Sequence, residues 1–161
     1  MAISTGDSIP DIELTTMGPE GPKKVSTGDL LGTGKVVLFA VPGAFTPGCS
    51  KSHLPGFVEQ GKDLKAKGVD TLACISVNDV YVMDAWGREH GVGDDIVMIA
   101  DGSAVFAEAM GLVRDMTGFG MGKRSQRYAA VIEDGVITQL EVDETGAVDK
   151  SSCSNILSLI S

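Results

Sequence analysis

The sequence predicts an α/β fold, a central and mostly parallel mixed sheet flanked by helices, and three observations carry that expectation. Residues 35–41 (KVVLFAV) are a continuous apolar run closed by Pro42-Gly43, which suits a strand covered on both faces better than an amphipathic helix. From residue 54 to residue 110, segments with helical spacing of apolar residues alternate with short apolar runs, the order that builds a parallel sheet with helices on both faces. Further along, Asp134-Gly135 stands between two more apolar runs, a strong two-residue hairpin signal.

After the strand at 35–41, Leu54, Phe57, Val58, Gly61 and Leu64 share one face of a helix that ends near Gly68, with Pro55 as a kink. Residues 70–77 (DTLACISV) read as a second buried strand, and 80–89, with Met83 and Trp86, as a helix. Residues 95–100 (DIVMIA) read as a strand and 103–110 as a helix. The hairpin arms are 128–133 and 136–141, and 155–160 closes the chain as a helix. The Gly/Pro-rich stretches 17–22 and 118–122 are short enough to be loops, and no repeat or low-complexity tract marks a linker. Residues 1–161 are therefore read as a single domain, large enough to bury roughly two thirds of its unfolded surface. A β-α-β unit followed by β-β-α describes a thioredoxin-like fold.

Composition narrows the function classes. The net charge is −9, the arginines are only Arg88, Arg114, Arg124 and Arg127, and no basic run occurs. Such a chain repels a phosphate backbone and an anionic membrane surface alike, so nucleic acid and membrane are not expected as partners. Residues 1–10 lack the basic start and apolar core of a secretory signal, and no apolar run approaches the ~20 residues of a membrane span. Cys49, Cys74 and Cys153 are too few and scattered for a disulfide framework, and an odd count leaves a thiol free. The expectation is a soluble cytoplasmic protein with reduced thiols.

The segment after the first central strand, Pro42 to Cys49, has the parts of a helix start. Thr46 suits the N-cap and Pro47 the first helical position. Cys49 then takes the third helical position, where a capping box holds an acid. Unpaired amides and the positive end of the helix dipole favour an anion there and depress cysteine pKa values. A free cysteine at about 8.5 is a few per cent thiolate at pH 7, whereas one at ~6 is mostly thiolate, which makes it a nucleophile. The alternative is that Cys49 is a small buried hydrophobe. Disulfide exchange at a C-x-x-C pair is disfavoured, because the first position of that pair is Thr46. His53 lies four residues after Cys49, on the same helix face, where it could serve as a general base or as half of a metal pair, but a Cys/His pair without two further ligands does not point to zinc. His53 is read as an ordinary helix residue, and His90 as a helix-terminal one.

The string VPGAFTPGCSKSHLPGF resembles the active-site segment of peroxiredoxins, whose shared pattern is a Pro, three residues, a Thr, two residues and a Cys. LKAKGVDTLACISVNDVYVMDAW and RYAAVIEDG are similar to the type II or type 5 branch. The resemblance implies a thiol-dependent peroxidase with an antioxidant role and no cofactor or metal. Cys49 would attack the O–O bond of hydrogen peroxide or an alkyl hydroperoxide and become a sulfenic acid. Thr46 would hydrogen-bond the peroxide and Pro42 would wall the pocket from water, unless the two merely cap a helix and end a strand. Arg127 would hold thiolate and peroxide oxygens through its fork of donors. Arg124, three residues earlier, competes for that role, but the family pattern places the arginine directly before an aromatic residue. Met110, Met116 and Met121 with the glycines of GFGMG are candidates for a hydrophobic rim, a subunit contact or simple core filling.

The sulfenic acid needs a second thiol. An external one, thioredoxin or glutaredoxin with glutathione, is ranked first, then Cys153, then Cys74; the flanks of Cys153, SSCSN, do not align cleanly with relatives that carry a resolving cysteine there. The resemblance also implies a homodimer formed beside the active site. The rival class is a non-catalytic thioredoxin-fold binding module.

Overall fold

Successive residues of the KVVLFAV run face opposite sides of the sheet, and each side meets a separate hydrophobic cluster. In the computed structural model, which describes residues 2–144 and 147–160, Val37, Phe39 and Val41 belong to one cluster and Val36, Leu38 and Ala40 to the other. A strand buried on both faces has to lie mid-sheet.

The elements follow as β1 (Glu13–Gly18), β2 (Gly21–Ser26), α1 (Thr27–Leu31), β3 (Lys35–Val41), a π-helical segment (Cys49–His53) running into α2 (Leu54–Ala66), β4 (Thr71–Ser76) and α3 (Val80–Glu89). Then come β5 (Val97–Ala100), α4 (Val105–Met110), β6 (Val113–Met116), β7 (Gly122–Ser125), β8 (Arg127–Glu133), β9 (Val136–Asp143) and α5 (Cys153–Leu159). The main sheet has the order β2-β1-β5-β4-β3-β8-β9, and β6-β7 is a separate hairpin. Its centre, β5-β4-β3, is parallel; β8 and β9 add on antiparallel beside β3, while β1 joins β5 antiparallel at Thr15 and Ala100.

On one face Leu54, Phe57 and Leu64 of α2, Met83 and Trp86 of α3 and Ile156 of α5 pack against β3 and β4. Phe39 stacks on Phe57 with centroids 3.9 Å apart, each ring contributing about 1.5–3 kcal/mol on burial. On the other face Leu31 of α1 and Phe106 and Met110 of α4 complete the second cluster. Met110 is therefore core and not part of a rim.

The strong periodic segments appear where expected. α3 is capped by Asp79, whose carboxylate accepts from the Val82 amide, and the Asp134-Gly135 turn has positive φ at both residues, 50° and 82°, the backbone that a two-residue hairpin demands. Boundaries move where the backbone is special: α4 starts at Val105 because Ala104 adopts a left-handed conformation, φ 60°. Residues 17–22 do contain a turn, but it joins two strands, ELTTMG and GPKKVS, too polar to show as apolar runs. Residues 118–122 likewise turn between β6 and β7. Pro55 lies in the first turn of α2, where proline is tolerated; the irregularity of that helix is the π segment before it.

Candidate active site

Strand β3 delivers the chain to a short loop, with buried Pro42 at the strand's end, and the loop turns through Phe45 at φ 65°, a left-handed value unusual for a non-glycine residue. The Ala44 amide donates to Asn78 Oδ1 at 2.9 Å, tying this loop to the chain after β4. Thr46 stands at the helix start, where its carbonyl accepts from the Ser50 amide at 2.9 Å. Its hydroxyl is not the expected helix cap: it donates to the Gly43 carbonyl at 2.6 Å, which leaves the oxygen's lone pairs as acceptors.

Cys49 opens the π-helical segment, in which the Leu54 amide donates to the Cys49 carbonyl. Such a widened turn sets residues at its ends on one side, and π segments recur at functional sites. From outside, Trp86 Nε1 donates to Ser50 Oγ at 2.9 Å and holds the segment to α3.

Cys49 is fully buried, and Arg127 Nη2 donates to its sulfur at 3.3 Å. Arg127 is the first residue of β8 and only 4% exposed. The approach depends on Gly48: a Cβ there would come within 3.0 Å of Arg127 Nη2. Arg124 is directed elsewhere, donating to the carbonyls of Met121 at 2.9 Å and Val77 at 3.0 Å. It braces the β6-β7 hairpin; a Cβ on Gly43 would meet Thr46 Cγ2, Met121 Cε and Arg124 Nη1 at 3.0–3.4 Å, so Met121 closes over the Thr46 side.

His53 is not an ordinary helix residue. It is buried at the other end of the π segment, with Nε2 2.9 Å from the Ser151 carbonyl and Nδ1 3.0 Å from Arg127 Nη1. A carbonyl only accepts and a guanidinium only donates, so these partners assign the proton to Nε2 and leave Nδ1 bare. Burial, and then the Arg127 charge, lower the His53 pKa to about 3. The ring is neutral, and it presents an acceptor to Arg127 without competing for charge. A buried cation beside a thiol favours the thiolate.

The other two cysteines share the hydrophobic cluster of Cys49 without its partner. Burial pushes the Cys74 thiol well up, with the Cys49 charge adding to it. Burial, then the charge of Asp63, pushes Cys153 up to about 12. Among the described residues, no group of three or more His, Cys, Asp or Glu gathers as a metal site.

The structure thus brings Cys49 and Arg127 into contact, with Thr46 one turn before the thiol and Pro42 at the mouth of the same loop. Sequence reasoning passed over His53, whose signal was its spacing of four from Cys49.

A redoxin family model matches residues 4–157. The chloroplastic peroxiredoxin-2E-2 of Oryza sativa subsp. japonica is 46% identical over 96% of this chain and 71% of its own length. Peroxiredoxin-2B of Arabidopsis thaliana is 40% identical over 96% of both. The crystal structure of reduced Prx3 from Vibrio vulnificus in complex with hydrogen peroxide superposes with a TM-score of 0.94 at 45% identity, covering 99% of both chains.

Proposed function

Because the chain belongs to the peroxiredoxin family of thiol-dependent peroxidases, we propose that Cys49 is the thiol that attacks the peroxide, with Arg127 as its electrostatic partner. The observation that carries this assignment is the donation from Arg127 Nη2 to the Cys49 sulfur at 3.3 Å inside a buried site. The thiolate attacks one peroxide oxygen, an S–O bond forms as the O–O bond breaks, and the leaving oxygen departs as an alkoxide or hydroxide that takes up a proton. As charge moves from sulfur to that oxygen, the guanidinium stabilises both ends without reorganising. Thr46 accepts a hydrogen bond from the peroxide through the lone pairs its bond to Gly43 leaves over, and Pro42 walls the loop side. Hydrogen peroxide and alkyl hydroperoxides are both proposed as substrates.

The proposed reductant is an external thiol, thioredoxin or glutaredoxin with glutathione, that condenses with the sulfenic acid and releases water. Support comes from Cys74 and Cys153, both buried and both held as protonated thiols, which makes them slow nucleophiles. Phe45, Tyr81 and Phe119 are each more than half exposed, which favours pairing of two copies through apolar surface. With all three cysteines as free thiols, the proposed compartment is the reducing cytoplasm.

The test is peptide-resolved mass spectrometry after one equivalent of hydrogen peroxide with dimedone present. A dimedone adduct on Cys49, with no disulfide to Cys74 or Cys153, supports both the nucleophile and the external reductant. Unmodified Cys49 with the peroxide unspent would sink the assignment.

A further inference from the structure

We propose that Asp143 is a positioning residue for the peroxidase reaction: its carboxylate holds the turn at 149–151 so that the Ser151 carbonyl fixes the His53 ring, which in turn holds Arg127 on the Cys49 sulfur. The inference rests on the roles given above to Cys49 and Arg127.

Asp143 ends β9 directly opposite Arg127 in the β8-β9 ladder and is 7% exposed. A buried carboxylate in that place has an obvious partner across the ladder, yet among the described residues no ion pair joins the two. Asp143 instead accepts from three consecutive amides, Asp149 at 3.1 Å, Lys150 at 2.9 Å and Ser151 at 2.9 Å, and from the Ser151 hydroxyl at 2.6 Å. Converging backbone donors of this kind form a concave anion site. They satisfy the carboxylate locally, so it does not draw the guanidinium away from the sulfur. Burial alone would raise the Asp143 pKa, but the bonds from Ser151, Asp149 and Lys150 outweigh it and hold the group below the usual carboxylate range.

Ser151 is the coupling point. Its amide and hydroxyl bind Asp143, and its carbonyl accepts from His53 Nε2 at 2.9 Å. Ser151 is itself fully buried, which leaves its carbonyl little freedom to re-aim while the carboxylate is in place. The adjoining chain also reaches the thiol loop, since a Cβ on Gly48 would lie 4.0 Å from Val148 Cγ2. A carboxylate remote from the sulfur therefore sets, through Ser151, the acceptor that meets His53 Nε2 and steadies the ring that faces Arg127.

The experiment compares Asp143→Asn and Ser151→Ala with the unmodified protein by stopped-flow oxidation of Cys49 with hydrogen peroxide, nitrogen-15 NMR of the His53 ring and circular dichroism. The unmodified protein should show a single Nε2–H tautomer of His53. Folded Asp143→Asn should oxidise about ten- to hundredfold more slowly, the scale of a small misplacement in a preorganised site, with His53 shifted to mixed tautomers. Ser151→Ala, which keeps the carbonyl and loses one bond, should slow oxidation about two- to fivefold. A folded Asp143→Asn with unchanged rate and unchanged His53 spectrum overturns the proposal, even if its melting temperature falls. Should Asp143→Asn not fold, an unchanged rate and spectrum in Ser151→Ala overturns it equally. If Cys49 of the unmodified protein is not oxidised, the peroxidase assignment fails instead, and the His53 spectra still decide whether Asp143 fixes the ring.

Discussion

Cys49 and Cys153 each lie in the first turn of a helix, belong to the same hydrophobic cluster and are 0% and 2% exposed. Cys153 even has the better-formed cap, with Ser152 Oγ accepting from the Asn155 amide. What separates them is the nearest charge: Arg127 donates to the Cys49 sulfur, whereas Asp63 adds to burial in pushing Cys153 up to about 12. Two equally buried thiols at two helix starts thus differ in the charge that tertiary packing brings to each sulfur.

The largest effect that sharpens this contrast is loss of the sulfur itself. Cys49→Ser should reduce thiol-dependent peroxide consumption to background, while Cys153→Ser should stay within about twofold of the unmodified rate, as buried structural thiols are inert. A collapse of activity in Cys153→Ser would erase the distinction. Next comes native alkylation at pH 8 read by mass spectrometry. A thiol held up to about 12 is protonated below that pH, so only about one Cys153 in ten thousand is thiolate; modification of Cys153 should therefore wait for unfolding while Cys49 is labelled.

Arg127→Gln should lower the rate of Cys49 oxidation about 10²–10³-fold, the usual loss on removing one preorganised donor, and leave Cys153 unreactive. Acid stability tests the neutral His53. Its folded pKa of about 3 lies below the ordinary 6.5, so below pH 6.5 the unfolded chain binds a proton that the folded one refuses. That contribution is complete above pH 6.5 and is lost as pH falls towards 3; His53→Gln should flatten this part of a urea-denaturation series against pH. Smallest is Trp86→Phe, which removes the bond to Ser50 and should cost about 0.5–1.5 kcal/mol of unfolding free energy.

Much of the central fold was legible because its signals are local. The KVVLFAV run, the apolar face of 54–64 and the Asp134-Gly135 turn each depend on a few neighbouring side chains, and the observed β3, α2 and β8-β9 hairpin follow them. The β1-β2 hairpin was missed because its residues, GPKKVS among them, gain their strand form by pairing, in a strand exposed at the sheet edge. Within the site, Thr46, Cys49 and Pro42 share one short string and could be read together. Arg127 was placed through its resemblance, 78 residues from the sulfur it touches. Nothing near Asp143 or Ser151 in the chain marked them, since the carboxylate meets its donors only in the folded turn at 149–151 and the Ser151 carbonyl meets His53 of the distant π segment.

By itself, then, the sequence determined the buried parallel centre, the helix start that carries Cys49 and the family to which the chain belongs. The tertiary structure decided which charge faces which thiol, that His53 is neutral and bridges Arg127 to Ser151, and that the Thr46 hydroxyl points back to Gly43. The physical reason is one of range. Hydrophobic periodicity and turn chemistry act between neighbours in the chain, whereas desolvation and the partner of a buried charge exist only once distant segments have been packed together.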